Sequence, residues 1–285
     1  MKPPLPLTQQ VALLKQRGLV IGNEDAARCF LFDANYFRLS GYARQFQIDP
    51  SAGDNRFRAG TSLDDLQRAF DFDARLGATM LWGLGAIERS LRARLAYHLA
   101  LVYGSEAFYL DPENYLPITP DLGAFVDKLE RELERSKTRM VAHYVQGEDF
   151  SRVPIWVAIE QFSFGAVSKL AQYVADRGPR DDVAASFGEQ KGPFASTIHS
   201  LAVLRNKCAH HAQIWHRHLV VQTPIVKKQQ RNEPAFDPQG LYPAVLAMKR
   251  LLPRVPDGTR SLSVLVNLLD VHTDLSDGIY HPDPR

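Results

Sequence analysis

The chain has 285 residues, 45% of them hydrophobic and 23% charged, with a formal net charge of +2. That is enough apolar material for a substantial core and too little net charge for a histone-like polycation. Binding to nucleic acid therefore calls for a local basic patch rather than a global field. Only two cysteines occur, Cys29 and Cys208, neither in a Cys-x-x-Cys pair, so neither a disulfide framework nor a zinc ribbon is expected. The segment Met1-Lys2-Pro3-Pro4-Leu5-Pro6 lacks the apolar run of a signal peptide. No stretch of about 18 apolar residues occurs, and the expectation is a cytoplasmic protein that makes no use of a membrane.

In chain order, Thr8 is a candidate cap for a first helix over 9–17, closed by Gly18. Residues 24–48 read as helical and carry the aromatic segment Asn35-Tyr36-Phe37-Arg38-Leu39-Ser40-Gly41-Tyr42; residues 50–60 read as a loop. Ser62 with Asp64 and Asp65 behind it is a helix start, because a hydroxyl and two acids suit unsatisfied N–H groups. The helical pattern then runs to Tyr103, with Leu84, Ile87, Leu91, Leu95, Leu99 and Val102 in one stripe.

Residues 112–120 read as a loop and 121–144 as one polar helix with a solvated charged face, on which Glu130 and Glu134 repel. Pro154 suits a first turn, and Trp156, Ile159, Ser163, Val167, Leu170 and Val174 fall near one helix face. Gly192-Pro193 ends a linker, and a helix begins at Phe194 and reaches about Trp215. The basic run 227–231 reads as a loop, 244–252 and 261–271 as closing helices, and 280–285 as a frayed end. With no strand alternation and no internal repeat, the expectation is an all-α protein. It would have an N-terminal helical region over 1–60 packed on a helical core over 61–222, followed by a C-terminal helical extension over 223–285.

The helix from Phe194 carries the chemistry. Phe194, Ile198, Leu201, Cys208 and Ala212 share a stripe, and position 205 on that stripe is Arg205. A guanidinium facing the core side needs a carboxylate or an anion. Asn206 and His210 are four residues apart and share the adjacent face. Arginine offers a forked cation that matches phosphate, histidine titrates near neutrality, and asparagine orients either. RNA supplies its own nucleophile, the 2′-OH, so such a set can cleave it without a metal or cofactor. The products would be a 2′,3′-cyclic phosphate and a 5′-hydroxyl. One motif supplies one histidine, and a two-fold homodimer would supply two. On spacing alone the bland alternative stays open: Arg205 binds a core carboxylate, and His210 caps the helix end.

Arg205-Asn206-Lys207-Cys208-Ala209-His210 resembles the Arg-x(4–6)-His signature of HEPN proteins. More of the chain resembles the abortive-infection family typified by AbiD and AbiF. The matching pieces include Arg17-Gly18-Leu19, the segment 35–42, Phe72-Asp73-Ala74-Arg75-Leu76, Ile87-Glu88-Arg89-Ser90-Leu91-Arg92, Pro154-Ile155-Trp156-Val157, and Leu204-Arg205-Asn206 through His210-His211 to Trp215. They stand in the family's order over roughly residues 1–220 and are together far more specific than the short signature. The resemblance implies a HEPN-type helical bundle, a metal-independent endoribonuclease with Arg205, Asn206 and His210 as its catalytic motif, and a toxin-like role in anti-phage defence. It also implies restraint by a partner, in some relatives a small structured antitoxin RNA.

Further residues are read with alternatives open. Glu160, the acid of an otherwise mostly apolar run, either holds Arg205 or pairs with another base. Glu88 and Arg92 form an i,i+4 pair that is either a helix-stabilising bridge or a support of the site. His211 packs or contacts RNA. Tyr36, Arg38, Tyr42 and Arg44 interleave aromatics with bases, either as core or as an RNA-stacking surface. Lys207, Lys227, Lys228 and Arg231 are candidate phosphate contacts, with a solvated loop as the alternative for the last three. The run His210, His211, His216 and His218 lacks a zinc spacing, and no metal is assigned. The competing functions are a non-catalytic RNA-binding protein and a metal-dependent hydrolase that uses this run.

Overall fold

A computed structural model of the chain describes residues 4–117, 121–145, 147, 149–231 and 233–283. The architecture is helical, as the periodicity implies, with one small hairpin. At the N-terminus stand α1 (Leu7–Gln16), α2 (Glu24–Ala34) and α3 (Tyr36–Ala43). The first helix starts one residue before Thr8, with Pro6 as its N-cap, so Thr8 lies inside the helix rather than capping it. Residues 24–48 are not one helix. Asn35 breaks them with φ 63°, and its Oδ1 accepts from the Phe37 N–H at 2.9 Å. A short polar side chain that bonds its own backbone competes with helix continuation in this way. Beyond α3, β1 (Gln47–Asp49) pairs antiparallel with β2 (Asp54–Phe57). The segment expected to be a loop thus holds a strand, too short and polar for alternation to show.

The long helix α4 (Leu63–Tyr103) organises the molecule. Its start follows expectation: the Ser62 side chain accepts from the Asp65 N–H, and Asp65 Oδ2 accepts from the Ser62 N–H at 2.9 Å, closing a capping box. At 1.5 Å per residue it spans about 60 Å. Its predicted stripe is buried from Leu84 to Leu99, whereas Val102 is exposed near the end.

The polar helix expected over 121–144 is two helices, α5 (Leu122–Glu134) and α6 (Arg139–Tyr144), the second capped by Thr138. The Pro154 helix is likewise split into α7 (Ile155–Ala158) and α8 (Phe164–Tyr173), because Ser163 caps a new start. Trp156 and Ser163 consequently lie exposed, off the buried face that Ile159, Val167, Leu170 and Val174 share. The supposed linker contains α9 (Gly178–Ser186). The motif helix, α10 (Lys191–Ala209), takes Gly192 and Pro193 into its first turn and ends six residues before Trp215.

The C-terminal part comprises α11 (Lys227–Gln230), α12 (Tyr242–Leu251), α13 (Gly258–Val271) and α14 (Thr273–Tyr280). The basic run is a helical turn, and the described part of the expected frayed end is anchored: the Tyr280 ring packs tilted against Tyr242 with centroids 4.4 Å apart. Helices α8, α9, α10 and α13 pack around α4. One apolar core runs through them, and a smaller cluster from Val11 to Leu66 joins the N-terminal helices to the start of α4. No helix among the described residues is long and apolar enough to cross a membrane.

Candidate functional site

The site lies where the end of α10 crosses the middle of α4. Phe194, Ile198, Leu201 and Cys208 are buried as the stripe requires, while Ala212 has left the helix and is exposed. Burial pushes the Cys208 thiol up to about 12, so this cysteine is a packing residue.

Arg205, on the same stripe, is half-buried, with its Nε 3.1 Å from Glu88 Oε2. The carboxylate at the motif is thus Glu88 of α4. Glu160 is exposed and makes no ion pair among the described residues, so the anchoring role considered for it falls to Glu88. Glu88 is itself buried, and its other oxygen accepts from Arg92 Nη2. Arg92, also buried, donates through Nη1 to the Ile159 carbonyl. One carboxylate thus pairs with two guanidinium groups, and a formal count leaves the trio with one net positive charge. Buried charges persist only when paired and hydrogen-bonded in this manner. On the solvent side, Arg205 Nη1 donates to Asn206 Oδ1 at 3.1 Å, so a continuous polar chain runs from the core to the surface of the motif.

That chain ends at Asn206, and His210 follows at the end of the helix. It is the C-cap of α10, its N–H donating to the Asn206 carbonyl at 3.0 Å. Its ring is exposed and makes no hydrogen bond among the described residues. The next two N–H groups close the helix: His211 donates to Cys208 at 3.1 Å and Ala212 to Lys207 at 2.9 Å. This is the Schellman pattern, with His211 at φ 52° in the position that glycine usually fills. Nothing in the sequence marks this stop, since no glycine or proline stands there. The half-buried Lys207 is in the last turn.

Sequence reasoning missed Asp73. It is buried on α4; Oδ2 accepts from the Tyr42 hydroxyl at 2.6 Å, and Oδ1 accepts from the backbone N–H groups of Ile214 and Trp215 at 3.1 and 2.8 Å. Burial raises its pKa, and these hydrogen bonds pull against the rise. The available signal is an acid beside Phe72 and Leu76 on an apolar stripe. Tyr42 is accordingly fully buried, stacked on Trp215 at 6.4 Å, and cannot serve as an RNA-facing aromatic. The core alternative applies to it. Tyr36 is half-buried and accepts from Arg17 at 3.1 Å. Arg38 is exposed and Arg44 half-buried.

The four histidines do not converge. His216 Nδ1 accepts from the Asp283 N–H at 3.0 Å, and burial lowers its pKa to about 4. His218 lies 3.0 Å from Asp237. Among the described residues no cluster of three or more metal-ligating side chains occurs. Lys227, Lys228 and Arg231 are exposed on and just after α11, whose Gln229 is tied to Leu246 and Arg250 of α12.

Two clefts lie near the end of the motif helix, and Arg205, Asn206 and His210 line neither. One, of about 270 Å³, is bordered by Asp73 and Gly77 of α4, by Cys208 and His211, and by Arg38. The other, of about 420 Å³, lies between α3 and the segment 213–217 and also has Arg38 in its wall.

A model of the family described as Abi-like protein matches residues 29–216. That span covers α3, α4 and the whole of the motif. Neither a curated protein nor a solved structure matches the chain.

Proposed function

The chain belongs to the Abi-like protein family, and on that footing we propose that it is a HEPN-type endoribonuclease of abortive infection, cutting RNA without a metal. One observation carries the reading: Arg205 is fixed by the buried Glu88 while His210, at the end of the same helix, presents a free ring to solvent. A purely structural helix end accounts for the Arg205–Glu88 pair but gives no use to an exposed His210 ring that caps no carbonyl among the described residues. In the reaction His210 takes the proton of the 2′-OH, and the oxygen attacks the adjacent phosphorus. The P–O5′ bond breaks, and the leaving 5′-oxygen is protonated by a second acid. Arg205 stabilises the added charge on the phosphoryl oxygens, and Asn206 orients the guanidinium that binds it. The second acid is His210 of a two-fold related copy, which makes the active unit a homodimer. Unrestrained cleavage would harm the host, so a partner, a small structured RNA in this reading, holds the enzyme in check until phage infection.

The experiment is expression of the full chain and of His210→Ala in bacteria. Free wild type is expected to arrest growth and leave RNA fragments with 2′,3′-cyclic phosphate ends. His210→Ala is expected to be harmless, with cleavage reduced by roughly two to four orders of magnitude. Equal toxicity of the two removes the catalytic assignment.

A further inference from the structure

The 420 Å³ cleft between α3 and the segment 213–217 has four arginines in its wall, Arg17, Arg38, Arg44 and Arg217, and no carboxylate residue among those that line it. In a chain with a net charge of only +2 this is a strong local concentration of one sign. A cleft lined by one sign of charge focuses the field and gathers counter-ions of the other sign. Its walls are built rather than incidental. A Cβ on Gly41 would stand 2.6 Å from Gln213 Oε1 and 3.2 Å from Arg217 Nη2, so the ends of these two side chains lie directly against α3 at this position. Arg217 Nη2 is held by Gln213 Oε1 at 2.8 Å. Gln47, buried in the lining, has a side-chain oxygen without a hydrogen-bond partner among the described residues. At the rim Phe37 is 85% exposed, an uncovered aromatic ring beside cations.

We infer that this cleft holds the backbone of a single-stranded RNA, with Arg38 and Arg217 on its phosphates and Phe37 stacked on a base. Guanidinium forks match phosphate oxygens, and an exposed ring next to them is the combination that accepts unpaired bases of any identity. Arg38 borders both clefts, so the two are neighbours, and the second reaches Cys208 and His211 at the end of the motif helix. The inference rests on RNA being the substrate of Arg205 and His210, and it names the surface that delivers the strand to them.

The test uses the purified full chain and a short unstructured oligoribonucleotide whose 2′-O-methyl groups prevent cleavage, with affinity read by fluorescence anisotropy over a range of salt concentrations. The double variant Arg38→Ala/Arg217→Ala is expected to bind at least about tenfold more weakly. The slope of log affinity against log salt should fall by roughly 1.4, about 0.7 for each phosphate that the variant no longer neutralises. Phe37→Ala is expected to bind about tenfold more weakly with the slope unchanged. Lys137→Ala, an exposed cation outside the cleft, is the control and should match wild type. Melting curves of each variant establish that it is folded. Unchanged affinity and slope in the folded double variant overturn the inference. So does a polyglutamate peptide that binds wild type as tightly as the RNA does and fails to bind the same variant. If His210→Ala stays toxic while the arginine variant no longer binds RNA, the nuclease reading falls and the cleft stands. If His210→Ala silences cleavage while the arginine variant binds and cuts like wild type, the cleft falls and the nuclease stands.

Discussion

Glu88 Oε2 stands 3.1 Å from Arg205 Nε, and the same carboxylate holds Arg92 through its other oxygen. The acid is 6% exposed and Arg92 is 9% exposed, so neither of these two charges can be left behind without cost. Removing one partner of a buried pair costs about 3–5 kcal/mol, because the remaining charge stays desolvated. Glu88→Gln is therefore expected to destabilise the fold by about that much and to loosen Arg205. The double variant Glu88→Gln/Arg92→Met removes the stranded charge as well and should recover most of the stability, measured by urea denaturation. It should not recover RNA cleavage, because Arg205 still lacks its anchor. Recovery of both would show that Glu88 acts only in the fold.

Asp73 joins three elements through one carboxylate: Tyr42 of α3, α4 itself, and the backbone at Ile214 and Trp215. Asp73→Ala leaves a buried hydroxyl and two backbone donors unpaired, at about 1–3 kcal/mol for each group. A loss of at least about 3 kcal/mol is expected. Asp73→Asn keeps an acceptor for the two N–H groups and should cost about 1 kcal/mol. The check is a shift in denaturation midpoint at constant slope. An alanine variant as stable as the asparagine one would mean that water already serves these donors.

The difference between what the sequence disclosed and what it withheld has a physical origin. Local signals were legible: the Ser62 capping box, the stripe from Leu84 to Leu99 and the polar set Arg205, Asn206 and His210 are each fixed within a few residues. Partners brought together over long separations were not. Glu160 was the acid read as a holder of Arg205, and Glu88 as the i,i+4 partner of Arg92, because finding the true anchor needs the crossing of α10 over α4. The placement of Glu88 and Arg92 along the edge of the Leu84–Leu91–Leu95 stripe was the usable hint, and an i,i+4 pairing masked it. Arg17 and Arg217, 200 positions apart, meet only through the fold. Helix breaks were hidden for another reason. Asn35, Ser163 and His211 interrupt helices by hydrogen bonding or left-handed backbone, which apolar periodicity does not register.

His216 gives the protein an acid-sensitive joint. Burial holds its pKa at about 4, against 6.5 for a free histidine. The folded state thus binds fewer protons than the unfolded state between these values, and stability is lost as pH falls from about 6.5 to about 4. Above 6.5 the contribution is complete, and below 4 no more is lost. The limit for such a shift is about 3 kcal/mol, lowered by the water that reaches the half-buried ring. His216→Asn keeps an acceptor for the Asp283 N–H and tolerates the left-handed backbone at φ 51°. The expected result is a flatter stability profile between pH 4 and 6.5 for the variant. Parallel profiles would show that the ring titrates in the fold as it does in water.

His211 occupies a backbone position that favours glycine, and this bears on why a histidine is there. At φ 52° its Cβ crowds the following carbonyl, which costs about 1–2 kcal/mol relative to glycine. Glycine in turn gives the unfolded chain more freedom, which offsets up to about 1 kcal/mol of the relief. His211→Gly is therefore expected to raise stability by about 0.5–1 kcal/mol, and His211→Ala, which keeps the strain and loses the ring, to raise it not at all. Strained residues of this type persist where the side chain is used, and this ring borders the cleft shared with Arg38. The stabilised glycine variant should thus cleave RNA more slowly than wild type, so that stability and activity move in opposite directions. A glycine variant less stable than wild type would show that packing of the imidazole outweighs the backbone strain. A more stable one with unimpaired cleavage would show that the ring has no part in handling RNA.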